Sequence, residues 1–241
     1  MRRLTPRGLA LCALLAVGLA APWWGPHVLR RFSVFSVRRV EVSGARLLAP
    51  HQVLAASGIR AGESLWGDAE AWEAALRQHP AVAEARVSRV LPGTLKIRVE
   101  EKQPVALVEL GTLWPATAGG EVLPVDPARA KVDLPLVRGR PEQLDTATLA
   151  LLAEAGRLQQ LDPELMARVS EVRAGAGGGI LLVLSRPYAV VALPRAAGQA
   201  RLLELRAVLA DVERRATPAA RASSPTMIDV RYAAQVIVRS V

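Results

Sequence analysis

Between Val82 and Glu101 the chain alternates. Leu95, Ile97 and Val99 are apolar, the residues between them are Lys96 and Arg98, and Pro92-Gly93 interrupts the pattern midway. Successive strand residues point to opposite faces, so a period of two sets one apolar face against one wet face. Pro-Gly is a turn signal. Val82–Leu91 and Thr94–Glu101 therefore read as two strands, with the face-switching of an antiparallel sheet half covered by helices. This pattern excludes an all-helical fold and demands helices to bury one face.

The cover precedes the hairpin. Asp68 caps a helix running to about Gln78, in which Ala71, Trp72, Ala75 and Leu76 fall at helical spacing. His79-Pro80 ends it, because proline removes a donor and clashes with the preceding turn. Pro50 opens a shorter helix, HQVLAASG, that stops at Gly58, and Ile59–Trp66 is a loop. Phe35–Ser43 carries Val37, Val40 and Val42 and reads as a strand closed by Ser43-Gly44. The order is β-α-α-β-β over residues 35–103.

A second module follows, over residues 104–241. Pro104–Leu110 continues as a strand, and Glu121–Pro124 after Gly119-Gly120 is a candidate for another. Thr146–Leu158 is helical, with Leu149, Leu152 and Ala155 on one face. Asp162-Pro163 marks a further helix start. Val169–Arg173 and Ile180–Leu184 flank a glycine-rich hairpin turn, and Tyr188–Leu193 is another strand. Ala196–Ala216 is a long helix with a stripe of Leu202, Leu205, Leu209 and Val212, and Arg195, Arg201 and Arg206 belong to its solvated face. Thr217–Pro225 is a loop. Met227–Tyr232 and a final strand, Gln235–Val241, close the chain.

The first thirty residues are of another kind. Arg2, Arg3 and Arg7 precede a run from Gly8 to Trp24 without one charge. These 17 residues make roughly 26 Å of helix, at the short end for a bilayer. Trp23 and Trp24 stand at its far end, where indoles favour the interface. The rival is a cleaved signal peptide, with a small-x-small site at Gly18-Leu19-Ala20. The formal net charge is +9, carried almost wholly by arginine. The arginines are dispersed and no aromatic-interleaved basic stripe occurs, so nucleic acid is not the expected partner. Cys12 is the sole cysteine, which excludes an intrachain disulfide and a thiolate metal cluster.

Several phrases together resemble a known family. VRRVEVSGA, then HPAVAEARVSRVLPGTLKIRVEEKQPVAL, behind an apolar N-terminal run, resemble the polypeptide-transport-associated (POTRA) domain of the FtsQ/DivIB family of bacterial cell division proteins. Leu134-Pro135-Leu136 with Gly139, and Ile228-Asp229-Val230-Arg231-Tyr232 before a valine-rich end, are similar to that family's C-terminal module. The family's D..G.V turn is altered here to Ala116-Thr117-Ala118-Gly119-Gly120-Glu121-Val122. The resemblance implies an α+β fold: a cytoplasmic tail over 1–7, a transmembrane helix over 8–26, a β-α-α-β-β POTRA domain over 35–103, and over 104–241 a mixed α+β domain with a mainly antiparallel sheet. It implies a septal membrane protein whose bulk lies outside the cytoplasm. It implies a divisome scaffold that binds FtsB, which comes with FtsL, at the last strand, and meets other divisome proteins through the POTRA domain. Carried over residue by residue, the binding residues are Tyr232, Ala233, Ala234, Gln235, Val236 and Ile237. A final strand with one unpaired side suits strand addition.

Catalysis is not expected. The sequence holds no nucleophile elbow and no phosphate loop with its lysine. Glu100-Glu101 are neighbours on a strand and point apart. His27, His51 and His79 are too scattered for a metal site. No enzyme activity, cofactor or metal is therefore expected. Two other roles remain open at this point: a POTRA-containing component of protein export or outer-membrane assembly, and an exported enzyme released by signal cleavage.

Overall fold

The structure is a computed structural model, and it describes residues 35–130, 132–139, 144–215, 226–232 and 235–240. The expected span over 8–26 and the expected loop over 217–225 lie outside these residues. Among the described residues no helix is long and apolar enough to cross a membrane. The chain divides into two compact units, one ending at Glu101 and one beginning at Lys102.

In the first unit, β1 (Arg39–Ser43) is followed by α1 (Pro50–Ser57), α2 (Ala69–Arg77), β2 (Val82–Val90) and β3 (Thr94–Glu101). Asp68 caps α2 by accepting from Ala71 N–H at 3.1 Å, and Gly58, left-handed at φ 70°, ends α1. Leu95, Ile97 and Val99 are buried, as are Trp72 and Leu76 of α2 and Val53 of α1, and Lys96 and Arg98 are exposed. Each such leucine or isoleucine contributes about 1.5–3 kcal/mol.

The sheet differs from expectation in one respect. Its order is β1-β3-β2, and β1 joins β3 in parallel, Arg39 opposite Thr94 and Ser43 opposite Arg98. Two helices carry the chain between β1 and β2, so β1 reaches β3 from the far side instead of by a hairpin. β1 also begins at Arg39, later than Phe35, because residues 35–37 bond to the 60–65 loop: Val37 N–H donates to the Glu63 carbonyl at 2.7 Å, and Leu65 N–H to that of Phe35 at 2.7 Å. Glu101, at the end of β3, accepts from three successive amides, Arg46 and Leu47 at 2.7 Å and Leu48 at 2.8 Å. That carboxylate fixes the connection from β1 to α1.

The second unit is one eight-stranded sheet, β11-β10-β9-β8-β7-β6-β4-β5. Its strands are β4 (Pro104–Leu110), β5 (Thr112–Thr117), β6 (Leu136–Arg138), β7 (Val169–Ala174), β8 (Ile180–Leu184), β9 (Ala189–Leu193), β10 (Thr226–Asp229) and β11 (Ile237–Ser240). The helices are α3 (Pro127–Ala130), α4 (Thr146–Leu161), α5 (Pro163–Met166) and α6 (Gln199–Arg215). Pairing is antiparallel at β4–β5, β7–β8, β8–β9 and β10–β11, and parallel elsewhere. A single core joins Leu152, Ala155 and Leu158 of α4, Leu202, Leu205 and Leu209 of α6, and Leu182, Leu184, Val191, Leu193 and Ile228 of the strands.

Three elements depart from the sequence reading. β5 occupies Thr112–Thr117 although Pro115 lies within it; β5 is a sheet edge, where a missing donor is tolerated. Glu121–Pro124 forms only an isolated bridge, Val122 to Ala116. The long helix starts at Gln199, not Ala196, because Ala196 stands at φ 55° and Gly198 follows. Arg195 therefore precedes the helix. Arg206 is exposed on the helix face but is also tied down: it reaches the buried Asp162 through Nε at 2.7 Å and through Nη2, and Glu164 at 3.2 Å. Asp162 also caps α5 through Leu165 N–H at 2.9 Å.

Candidate functional site

The four residues from Ile228 to Arg231 split by parity. Ile228 and Val230 are fully buried. Asp229 and Arg231 share the opposite face and pair with each other, Nε to Oδ1 at 2.9 Å and Nη2 to Oδ2 at 2.6 Å, with Arg231 N–H adding a 3.0 Å bond to Oδ1. Those bonds from Arg231 hold the Asp229 carboxyl below the usual carboxylate range, against the opposing pull of burial, and Arg239 adds a weaker attraction. Arg231 Nη1 also donates to the Ala176 carbonyl at 3.4 Å, in the turn joining β7 and β8. The guanidinium lies 6.0 Å from the centre of the Tyr232 ring.

Tyr232 is 49% exposed, so the ring is presented and not packed away. Ala233 and Ala234 lie outside the described residues. Gln235 is exposed, Val236 is half-buried against the core, and Ile237 opens β11 opposite Asp229. The described candidate residues thus lie on one segment, from the end of β10 into β11.

β11 is the outermost strand, and its outward groups can be assigned. Thr226 N–H donates to Tyr188 and Val230 N–H to Ala192, so even-numbered residues of this strand face β9. Met227 and Asp229 then face β11, opposite Arg239 and Ile237. Val238, opposite Ile228, turns its N–H and carbonyl away from the sheet. Its side chain is 48% exposed. The edge therefore offers a donor and an acceptor at Val238, with Val236 and Val238 on one face and Ile237 and Arg239 on the other. Val238 and the Asp229–Arg231 pair were not among the site residues expected from sequence; the period of two through Ile228–Arg231 is the signal that marks the pair. Among the described residues no three His, Cys, Asp or Glu side chains form a metal-holding group.

The FtsQ-type POTRA domain family matches residues 35–102, and the FtsQ/DivIB C-terminal family matches residues 106–231. The chain belongs to the FtsQ/DivIB family. Its FtsQ-type POTRA match spans the first sheet, and its C-terminal match runs to Arg231, beside Tyr232. Named relatives agree. The chain is 35% identical to Cell division protein FtsQ of Anaeromyxobacter sp. (strain K), over 57% of this chain and 49% of that one. It is 30% identical to the FtsQ of Myxococcus fulvus over 75% and 68%, and 26% identical to that of Geobacter sp. (strain M21) over 97% and 85%. The chain thus matches about half the length of the Anaeromyxobacter FtsQ.

Proposed function

We propose that this chain is a non-catalytic divisome scaffold that receives FtsB, accompanied by FtsL, as an added strand on β11. The observation that carries the reading is the outward-facing backbone of Val238 at the end of the sheet, six residues after the presented ring of Tyr232. Strand addition supplies main-chain hydrogen bonds, and tyrosine supplies apolar area with one polar tip at low entropic cost. Gln235, Val236 and Ile237 would line the incoming strand, with Ala233 and Ala234 beside it. The reading includes an anchor over residues 8–26 with both units outside the cytoplasm, the POTRA domain over 35–103 meeting other divisome proteins, and enrichment at the septum. Holding FtsB and FtsL there would help control septal peptidoglycan synthesis.

The test is capture of FtsB by the full chain in detergent. Wild type is expected to retain FtsB and Tyr232→Glu to lose it. Equal retention by both removes the assigned surface.

A further inference from the structure

The end of the first sheet that receives the chain has a surface of its own. Arg39 stands opposite Thr94 in the parallel pair, and Val90 stands opposite Thr94 in the antiparallel one. Register thus places the start of β1 and the tip of the β2–β3 hairpin side by side. Gly93 joins them: its carbonyl accepts from Arg38 N–H at 2.8 Å and Arg39 N–H at 3.2 Å. A Cβ there would lie 2.8 Å from the Ser36 carbonyl oxygen.

At this tip Val90 and Leu91 are exposed, Leu91 at 58%. Arg38 and Arg39 are exposed beside them, and Arg60 is exposed on the adjoining loop. Arg89 is held by the Leu65 and Gly67 carbonyls at 2.8 Å, over the ring of Trp66. Phe35 packs edge-on against Trp66 at 6.2 Å. The nearby carboxylates are engaged: Glu63 with Arg60 N–H, Asp68 with Ala71 N–H, Glu41 with Lys96. An apolar tip, surrounding arginines and half-buried aromatics match an anionic bilayer surface. Two copies meeting tip to tip would bring like charges together.

Chain length points the same way. The charge-free run ends at Trp24, and eleven steps to Phe35 span at most about 40 Å. With that run in a bilayer, which is part of the function proposed above and on which this inference rests, the tip is tethered close to the headgroups. We propose that the β2–β3 hairpin tip, Val90 and Leu91 flanked by Arg38 and Arg39, docks on the anionic lipid surface of the membrane that holds the N-terminal run.

The test uses the full chain in lipid nanodiscs, with phosphatidylglycerol or with phosphatidylcholine alone. A polarity-sensitive dye is placed on native Cys12, or on Leu91→Cys or Ala83→Cys in a Cys12→Ser background, and spin-labelled lipids quench it. Ala83 is exposed at the opposite end of β2. In phosphatidylglycerol the dye at 91 is expected to be quenched and the dye at 83 spared. Arg38→Ser with Arg39→Ser should lower the docked-to-free ratio roughly 25-fold, about fivefold for each arginine. Phosphatidylcholine discs test the charge dependence with no substitution and should abolish quenching at 91. Quenching at Cys12 with none at 91 overturns docking and leaves the anchor standing. No quenching at Cys12 overturns both. Equal quenching at 91 and 83, or quenching that needs two chains per disc, also overturns docking.

Discussion

Arg231 folds back over Asp229, two residues earlier, with its guanidinium 6.0 Å from the centre of the Tyr232 ring. The pair is intramolecular and local, yet it sits where the sheet ends and the candidate edge begins. Asp229 is only 9% exposed, so its charge depends chiefly on this guanidinium, with Arg239 a weaker second. Arg231→Met is expected to cost about 2 kcal/mol, the cost of leaving a charged acceptor short of its donors. Urea unfolding measures it. Adding Asp229→Asn should recover part of the loss, giving a less than additive double variant.

Acid should destabilise the second unit in a defined direction. Asp229 is held low by Arg231. At Asp162 burial pushes the carboxyl up, but the Arg206 and Leu165 hydrogen bonds outweigh it and leave it lowered. Both carboxyls are thus depressed in the folded state, so the unfolded chain takes up protons first as pH falls. Their stabilisation is full above the ordinary aspartate value of about 3.9 and is lost as pH falls through the folded values. Unfolding followed from pH 7 downward should show stability dropping below about pH 4, and Asp229→Asn should flatten the drop.

Asp162→Ala removes two functions at once, the cap of α5 and the anchor of Arg206 on α6. The expected loss is about 3 kcal/mol, roughly 1 from the cap and the rest from the charged bond. A denaturation midpoint equal to wild type would show that the α5–α6 tie carries no stability.

Glu101→Ala strips the acceptor from three consecutive amides. Hydrogen exchange should speed up at Arg46, Leu47 and Leu48 while α2 keeps its protection. Global stability should fall by about 2 kcal/mol.

Val238→Pro separates folding from binding. Proline removes an N–H that points away from β10, so no bond within the sheet is lost and edge strands tolerate it. The melting temperature should stay near that of wild type while FtsB capture falls about fivefold, the equivalent of one main-chain bond at an interface.

Period two and period 3.6 made most of the first unit legible: the hairpin, both helices and the buried set Leu95, Ile97 and Val99. They do not encode the direction of a neighbouring strand, which is why the parallel pairing of β1 was invisible. Pro115 hid β5, because a proline argues against a central strand and nothing local tells a reader that the strand is an edge. Arg206 looked like any charge on a helix face; its partner Asp162 is 44 residues away, and a contact at that separation leaves no periodic trace. At the candidate edge, Tyr232 and the last strand were marked by their phrase and by lying late in the sequence. The orientation of Val238 follows only from which neighbours Thr226 and Val230 bond.

Parallel pairing of β1 with β3 has a mechanical meaning. The described chain of the first unit opens just before β1 and its last strand is β3, two adjacent strands that run the same way. Tension between those two points slides one strand along the other instead of peeling them apart. The register pairs from Arg39–Thr94 to Ser43–Arg98 would then bear the load together, in shear, and not one at a time.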